Sequence, residues 1–118
     1  MSNYPNFMKF KGESYRDIPA AVVKDRVERY IKRTRHTTPQ QLSEPWKGLV
    51  MYTLVEYCEW DLVDVAEYLQ VTERTVKTKF DYAKTMFRMA TFSSKITSNG
   101  SKFVRDLGYY IYYNIHRR

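Results

Sequence analysis

The stretch DVAEYLQVTERTVKTKF, residues 64–80, consists of two short amphipathic segments joined by three or four residues. Its first segment places Val65, Ala66 and Leu69 on one side, at the spacing of an α-helix. The second places Val76 and Phe80 on one side and leaves its other positions polar. The stretch therefore predicts two packed helices. Two interpretations follow: a helix-turn-helix that binds DNA, or two packed helices of a small α-helical protein.

The polar face of the second segment favours DNA. A DNA-binding helix-turn-helix needs a small residue where its helices cross, a β-branched anchor inside the second helix, and hydrogen-bond donors on that helix's exposed face. Ala66 and Val76 meet the first two needs. Gln70 departs from the usual pattern, because glycine favours the left-handed backbone of the turn. The predicted DNA-contacting side chains of the motif are Thr72, Arg74, Thr75, Lys77, Thr78, Lys79 and Lys84.

Charge along the second helix supports the same interpretation. From Arg74 to Lys95 the chain has six cations, and Asp81 is the only acid. An ordinary solvated helix mixes both signs. The net charge of the chain is +7 and its pI about 9.5. Such a balance predicts an anionic partner, which is nucleic acid, an acidic protein or an anionic membrane surface.

Hydrophobic periodicity along the rest of the chain predicts an all-α fold, a small five-helix domain. We expect an N-terminal arm at 1–16 and a single helical domain at 17–118, with the helix-turn-helix at about 61–90. The predicted helices lie at about 18–33, 44–59, 62–70, 73–90 and 102–116. The predicted helix caps are Asp17, Asp61 with Asp64, Thr72, and either Ser98 or Ser101. Pro39 starts a single helical turn in the connector after the first helix.

Residues 92–102 allow two interpretations. Asn99-Gly100 is typical of a turn, and Phe92 and Ile96 are placed to flank it as strands of a short hairpin. The opposing evidence is an apolar residue at every fourth position: Phe103, Leu107, Ile111 and Ile115. This repeat favours a last helix at about 102–116.

Tyrosines lie on every side of this last helix: Tyr109, Tyr110, Tyr112 and Tyr113. One chain cannot bury them all, so we expect a homodimer or a partner surface to cover some of them. They support a rival function, a protein-interaction or assembly module such as a phage packaging component or a modulator of RNA polymerase.

Other functional classes are not predicted. Cys58 is the only cysteine and is expected to be buried, so no intramolecular disulfide is possible. His36 and His116 have no cysteine partner at metal-site spacing, so no metal or cofactor is expected. Neither a phosphate-binding glycine loop nor a nucleophile with a base is present, so we predict no enzyme and no small-molecule substrate.

Targeting signals are also lacking in the sequence. We find no signal peptide and no apolar run long enough to span a bilayer, so no membrane partner is predicted. The default location is therefore the cytoplasm, or a host cytoplasm if the chain is viral.

A family resemblance covers residues 22–87. Its segments are VVKDRVERYI, KRTRHTT, PWKGLVMYTLVEYCEW, DLVDVAEYLQ and TERTVKTKFDYAKTMF. In this order they resemble the opening helix, basic loop, long buried helix, short helix and recognition helix of the C-terminal DNA-binding domain of the replication initiator DnaA. That domain belongs to the Trp-repressor-like helix-turn-helix class. Thr75-Val76 falls where the family has Thr-Val, and sigma-factor region four is a looser relative.

The resemblance implies how DNA would be bound. It places helix 73–90 in the major groove and the basic loop 32–36 on the backbone or in the minor groove, where Arg33 and Arg35 would contact phosphate. We therefore expect a sequence-selective protein that binds double-stranded DNA and regulates transcription or replication.

Overall fold

The computed structural model describes residues 18–88 and 95–116, with side chains described at 18–88 and 99–112. The predicted N-terminal arm and the predicted cap at Asp17 lie outside these ranges. Within them the chain is all-α, with five α-helices, one 3-10 turn and no strand, which confirms the predicted fold class. None of the described helices is both long and apolar enough to cross a lipid bilayer.

The helices follow the predicted order with different ends. They are α1 (Ala20–Arg35), a 3-10 turn (Pro39–Gln41), α2 (Trp46–Glu56), α3 (Leu62–Leu69), α4 (Glu73–Arg88) and α5 (Lys95–His116). The 3-10 turn confirms the single turn predicted at Pro39. Helix α2 ends earlier than predicted, because the N–H groups of Tyr57 and Cys58 both bond to the carbonyl of Thr53 and Glu59 is left-handed (φ 58°).

Helix α5 begins before the predicted start, and this overturns the hairpin. Residues 95–102 are helical, so Asn99-Gly100 is no turn and neither Ser98 nor Ser101 is a cap. The reason is tertiary packing at Gly100, which is buried. A Cβ atom there would lie 3.4 Å from the Cδ1 atom of Leu49.

Helix α2 forms the centre of the core. Its residues 48–54 are all buried, and α3, α4, α5 and the 3-10 turn pack around it. A helix that is apolar on every side is stable only when neighbours enclose it. The other helices are amphipathic and turn one stripe inward.

The turn between α3 and α4 is compact. Gln70 adopts the left-handed conformation (φ 59°, ψ 48°) that glycine usually supplies, and the N–H of Val71 donates to the carbonyl of Ala66 at 3.0 Å. Thr72 caps α4 as predicted, since its hydroxyl accepts the N–H of Thr75 at 3.1 Å. The predicted capping box at Asp61 is wrong: Asp61 is the N-cap residue, but its side chain makes no capping hydrogen bond.

Candidate nucleic-acid interface

The outer face of α4 points away from the core. Val76, Ala83 and Phe87 are buried, and helical geometry places Arg74 and Thr78 on the opposite side, where both are exposed. Among the described residues, no hydrogen bond or ion pair holds the Arg74 guanidinium. Both side chains are therefore available to a ligand that approaches this face.

Lys77 lies beside this face in an ion pair. Its ammonium is 3.1 Å from Oδ2 of Asp81, and both side chains are more than half exposed. An exposed pair four residues apart on a helix contributes only about 0.3–0.5 kcal/mol. A phosphate can therefore replace the carboxylate at little cost.

Lys79 and Lys84 lie on opposite flanks of α4. Five residues separate them, which is roughly 140° around a helix. The Lys79 ammonium is 3.7 Å from a carboxylate oxygen of Glu44, whose other oxygen accepts the N–H of Gly48 at 3.0 Å. The Lys84 ammonium lies 5.5 Å from the centre of the Phe80 ring. Side chains on the two flanks of a helix in a groove can contact the phosphates along the edges of the groove, whereas the bases lie at its floor.

The two threonines at the start of α4 are engaged with each other. The hydroxyls of Thr72 and Thr75 are 2.9 Å apart, and the Thr72 hydroxyl also accepts the backbone N–H of Thr75. Their first role is therefore to hold the helix start. Of the residues expected to approach base edges, Arg74 and Thr78 have the most open positions.

The prediction of a basic loop at 32–36 is wrong, because residues 32–35 form the last turn of α1 and His36 is its C-cap. The arginines of this turn lie over aromatic rings. The guanidinium carbon of Arg35 lies 4.3 Å from the Trp46 ring centre and 5.4 Å from that of Phe103, and Arg33 lies 5.9 Å from the Tyr110 ring. A guanidinium stacked through its face keeps N–H groups at its edge for an acceptor. The Arg35 side chain is directed to α2 and α5, which the sequence did not indicate.

The connector itself lies beside the helix-turn-helix. The Gln40 side-chain amide donates to the carbonyl of Tyr68 near the end of α3 at 2.9 Å, and the Lys47 ammonium donates to the carbonyl of Gln40 at 2.7 Å. The first of these hydrogen bonds holds the connector against the end of α3, the first helix of the helix-turn-helix.

The tyrosines of α5 are covered more than predicted. Tyr112 is 6% exposed, so its side chain does not offer a partner surface. Tyr110 is half-buried, with its ring centre 5.6 Å from that of Tyr30, and Tyr109 is also half-buried. The Tyr113 side chain lies outside the described residues. The sequence did not indicate which helices cover α5, and the structure shows that α1 and α2 both pack on it.

Sequence reasoning missed two acids that hold α4 lysines. The pair of Lys77 and Asp81 was visible as a four-residue spacing on one helix. The pair of Lys79 and Glu44 joins two helices and depends on the close approach of α2 and α4 at Gly48. The positions of Lys79 and Glu44 in the sequence therefore did not indicate this ion pair.

Outside α4 and the connector, the described residues include a buried thiol and a cavity bordered by acids. Burial raises the pKa of the Cys58 thiol to about 12, so the nucleophilic thiolate is scarce. A cavity of about 640 Å³ between α1 and α3 is bordered by several acids, among them Asp61, Asp64 and Glu67. No group of described side chains could hold a metal ion.

The chain matches no family model, no curated protein and no solved structure. Function must therefore be inferred from the residues on α4 and the connector. Their common chemistry is a row of cations around Arg74 and Thr78, which suits an anionic ligand with hydrogen-bond acceptors.

Proposed function

We propose that the protein is a sequence-selective double-stranded DNA-binding protein that regulates transcription or replication. It inserts α4 into the major groove and lays the cationic end of α1, residues 32–36, on the backbone or in the minor groove. The observation that supports this most is the outer face of α4, which presents Arg74 and Thr78 with cations on both flanks. A capped helix start and a three-residue turn hold that face in place.

Each side chain then has a role set by its position. Arg74 reaches a guanine edge or a phosphate through two parallel hydrogen bonds, and Thr78 lies where it can touch a thymine methyl. Lys77, Lys79 and Lys84 contact phosphates, the first two after leaving Asp81 and Glu44. The order of helices also follows the order that the resemblance to the DnaA DNA-binding domain implies, which supports the proposal.

The test is fluorescence anisotropy of the protein with random duplex DNA at low and moderate salt. We expect binding that weakens steeply with salt, because bound cations release counterions from the duplex. Arg74→Ala with Lys77→Ala should lower the affinity by roughly tenfold or more and flatten the salt dependence by about two phosphate contacts.

The matched control is Lys24→Ala with Arg29→Ala on α1, which removes the same charge from an exposed surface away from α4. It should change the affinity far less. No binding at low salt, or an equal loss in both double variants, would rule out α4 as the DNA-binding element.

A further inference from the structure

Two cavities meet at Trp46, the first residue of α2. One, of about 240 Å³, lies between α2, α4 and α5, and its apolar border includes Leu49, Tyr82, Met86 and Phe87. The other, of about 330 Å³, lies between the end of α1, the start of α2 and α5, and its border includes Tyr30, Arg35, Lys102 and Phe103. Trp46 borders both. The two cavities are therefore adjacent, and we call the line that runs from one to the other across Trp46 the path.

Aromatic rings and cations lie close to one another along this path. Tyr82 is 65% exposed, which is unusual for so large a ring, and Lys79 borders the same cavity. Trp46 follows, with the Arg35 guanidinium 4.3 Å from its ring centre. Lys102 is exposed beyond it. We call this set, Tyr82, Lys79, Trp46, Arg35 and Lys102, the Trp46 surface.

The chemistry of the Trp46 surface fits unpaired nucleotides. In such a site, aromatic side chains stack on the faces of bases and neighbouring cations bind the phosphates between them. No particular base sequence is required. A duplex hides its base faces within the stack, so it cannot use the exposed ring of Tyr82 in this way. Glu44 and Asp106 also border the path. Their negative charge weakens the attraction for phosphate. We therefore expect base stacking to supply most of the binding free energy.

The path is separate from the outer face of α4. Tyr82 and Lys79 lie on the flank of α4 that is turned to α2, whereas Arg74 lies on the outer face and Lys77 on the other flank. Lys79 and Arg35 are expected to contribute to both proposed activities. We propose that the Trp46 surface binds single-stranded nucleic acid, with one base against Tyr82, another over the Arg35 guanidinium that covers Trp46, and phosphates on Lys79 and Lys102.

Tryptophan fluorescence tests this directly. Trp60→Phe leaves Trp46 as the only tryptophan, and Trp60 borders the distant acidic cavity between α1 and α3. Titration of this variant with oligothymidylate should quench the fluorescence of Trp46 to saturation. Anisotropy of a labelled oligothymidylate with the unmodified protein should give the same affinity, and it does not depend on the folding of the variant.

A second variant isolates stacking. Tyr82→Ala should weaken oligothymidylate binding about fivefold or more, since a stacked base contributes about 1–3 kcal/mol. Val63→Ala is the matched control, because Val63 is the other large exposed apolar side chain among the described residues, at 53%, and lies on α3. It should leave the affinity unchanged.

Three results would overturn the proposal: no binding of the oligonucleotide at low salt, equal binding by Tyr82→Ala, or equal quenching of Trp46 by polyglutamate. The variant with Arg74→Ala and Lys77→Ala separates the two proposed activities. It should lose duplex binding and keep oligothymidylate binding. A protein that binds the oligonucleotide but no duplex would refute the duplex proposal alone, and the reverse result would refute only this one.

Discussion

Gln70 shows how a single residue sets the angle between α3 and α4. It holds a left-handed backbone conformation, which costs a side chain other than glycine about 1 kcal/mol or more. The hydrogen bond from the N–H of Val71 to the carbonyl of Ala66, at 3.0 Å, helps to offset this cost. The sequence suggested that the absence of glycine could change the turn. In the structure glutamine adopts the glycine conformation instead.

Gln70→Gly should therefore stabilise the protein. We expect the free energy of unfolding to rise by about 0.5–1 kcal/mol, because relief of the left-handed strain exceeds the added entropy of the unfolded chain. Urea denaturation measures it. Thr85→Gly on the exposed side of α4 is the control and should destabilise by about as much, since glycine there only weakens a helix. A loss of stability in Gln70→Gly would show that the turn is not left-handed.

At the scale of single residues, the sequence predicted which side chains are exposed better than it predicted which side chains contact each other. Arg74 and Thr78 were predicted on the exposed face of α4, and they lie there because the apolar stripe fixes the rotation of the helix. The stacking of Arg35 on Trp46 was not foreseen. It joins side chains from two helices whose approach depends on the whole fold.

Among the helices, α5 departs most from the sequence-based expectation. Asn-Gly is a strong local turn signal, and it was outweighed by packing. Gly100 lies against Leu49 and Phe87, in the contact that α5 makes with α2 and α4. Local propensity cannot anticipate such a contact, whereas the four-residue repeat after it was sufficient to predict the rest of the helix.

Gly100→Ala distinguishes the helix from the turn. The added Cβ would lie 3.4 Å from Leu49 and 3.9 Å from Phe87, which is ordinary contact, and alanine favours a helix over glycine. We expect the midpoint of thermal unfolding to rise, with a gain of about 0.5–1 kcal/mol in the free energy of unfolding. Were Gly100 in a turn that required positive φ, the same change would be destabilising.

Gly48→Ala is the matched comparison for this change. Its Cβ would lie 3.1 Å from a carboxylate oxygen of Glu44, which would have to move from the N–H of Gly48. We expect this variant to gain less than Gly100→Ala.

For the whole molecule, charge is divided between two regions. Residues 56–67 contain five acids and no lysine or arginine, while the cations of α4 lie beyond them. The acidic cavity between α1 and α3 belongs to the first region. A polyanion is therefore repelled from that side, which favours an approach to α4. The net charge alone does not indicate this direction of approach, whereas the distribution of charge along the chain does.

Stability of the whole molecule should fall at high pH. Burial raises the pKa of the Cys58 thiol to about 12, whereas an exposed thiol has a pKa of about 8.5. Because the folded-state pKa is raised, the contribution of Cys58 is complete below about pH 8.5 and is lost as pH rises towards 12. Tyr68 acts in the same sense, since burial and the nearby Glu28 carboxylate raise its pKa.

Urea denaturation at several pH values measures this loss. In the window between the two thiol pKa values, Cys58 lowers the free energy of unfolding by roughly 1.4 kcal/mol per pH unit. Cys58→Ala should be less stable at neutral pH because it leaves a small cavity, but its stability should decline less steeply with pH. Parallel curves for the two proteins would contradict a buried thiol.

Fold class and helix order followed from periodicity, because an apolar stripe records which side of each helix is inside. The pairing of helices did not, since it depends on contacts such as that between Gly100 and Leu49.

The position of α2 has a consequence for how such a protein diverges over time. Enclosed along residues 48–54, it tolerates few substitutions, whereas the outer face of α4 touches nothing that folding needs. Descendants of this chain can therefore change what α4 recognises while they keep the framework that presents it.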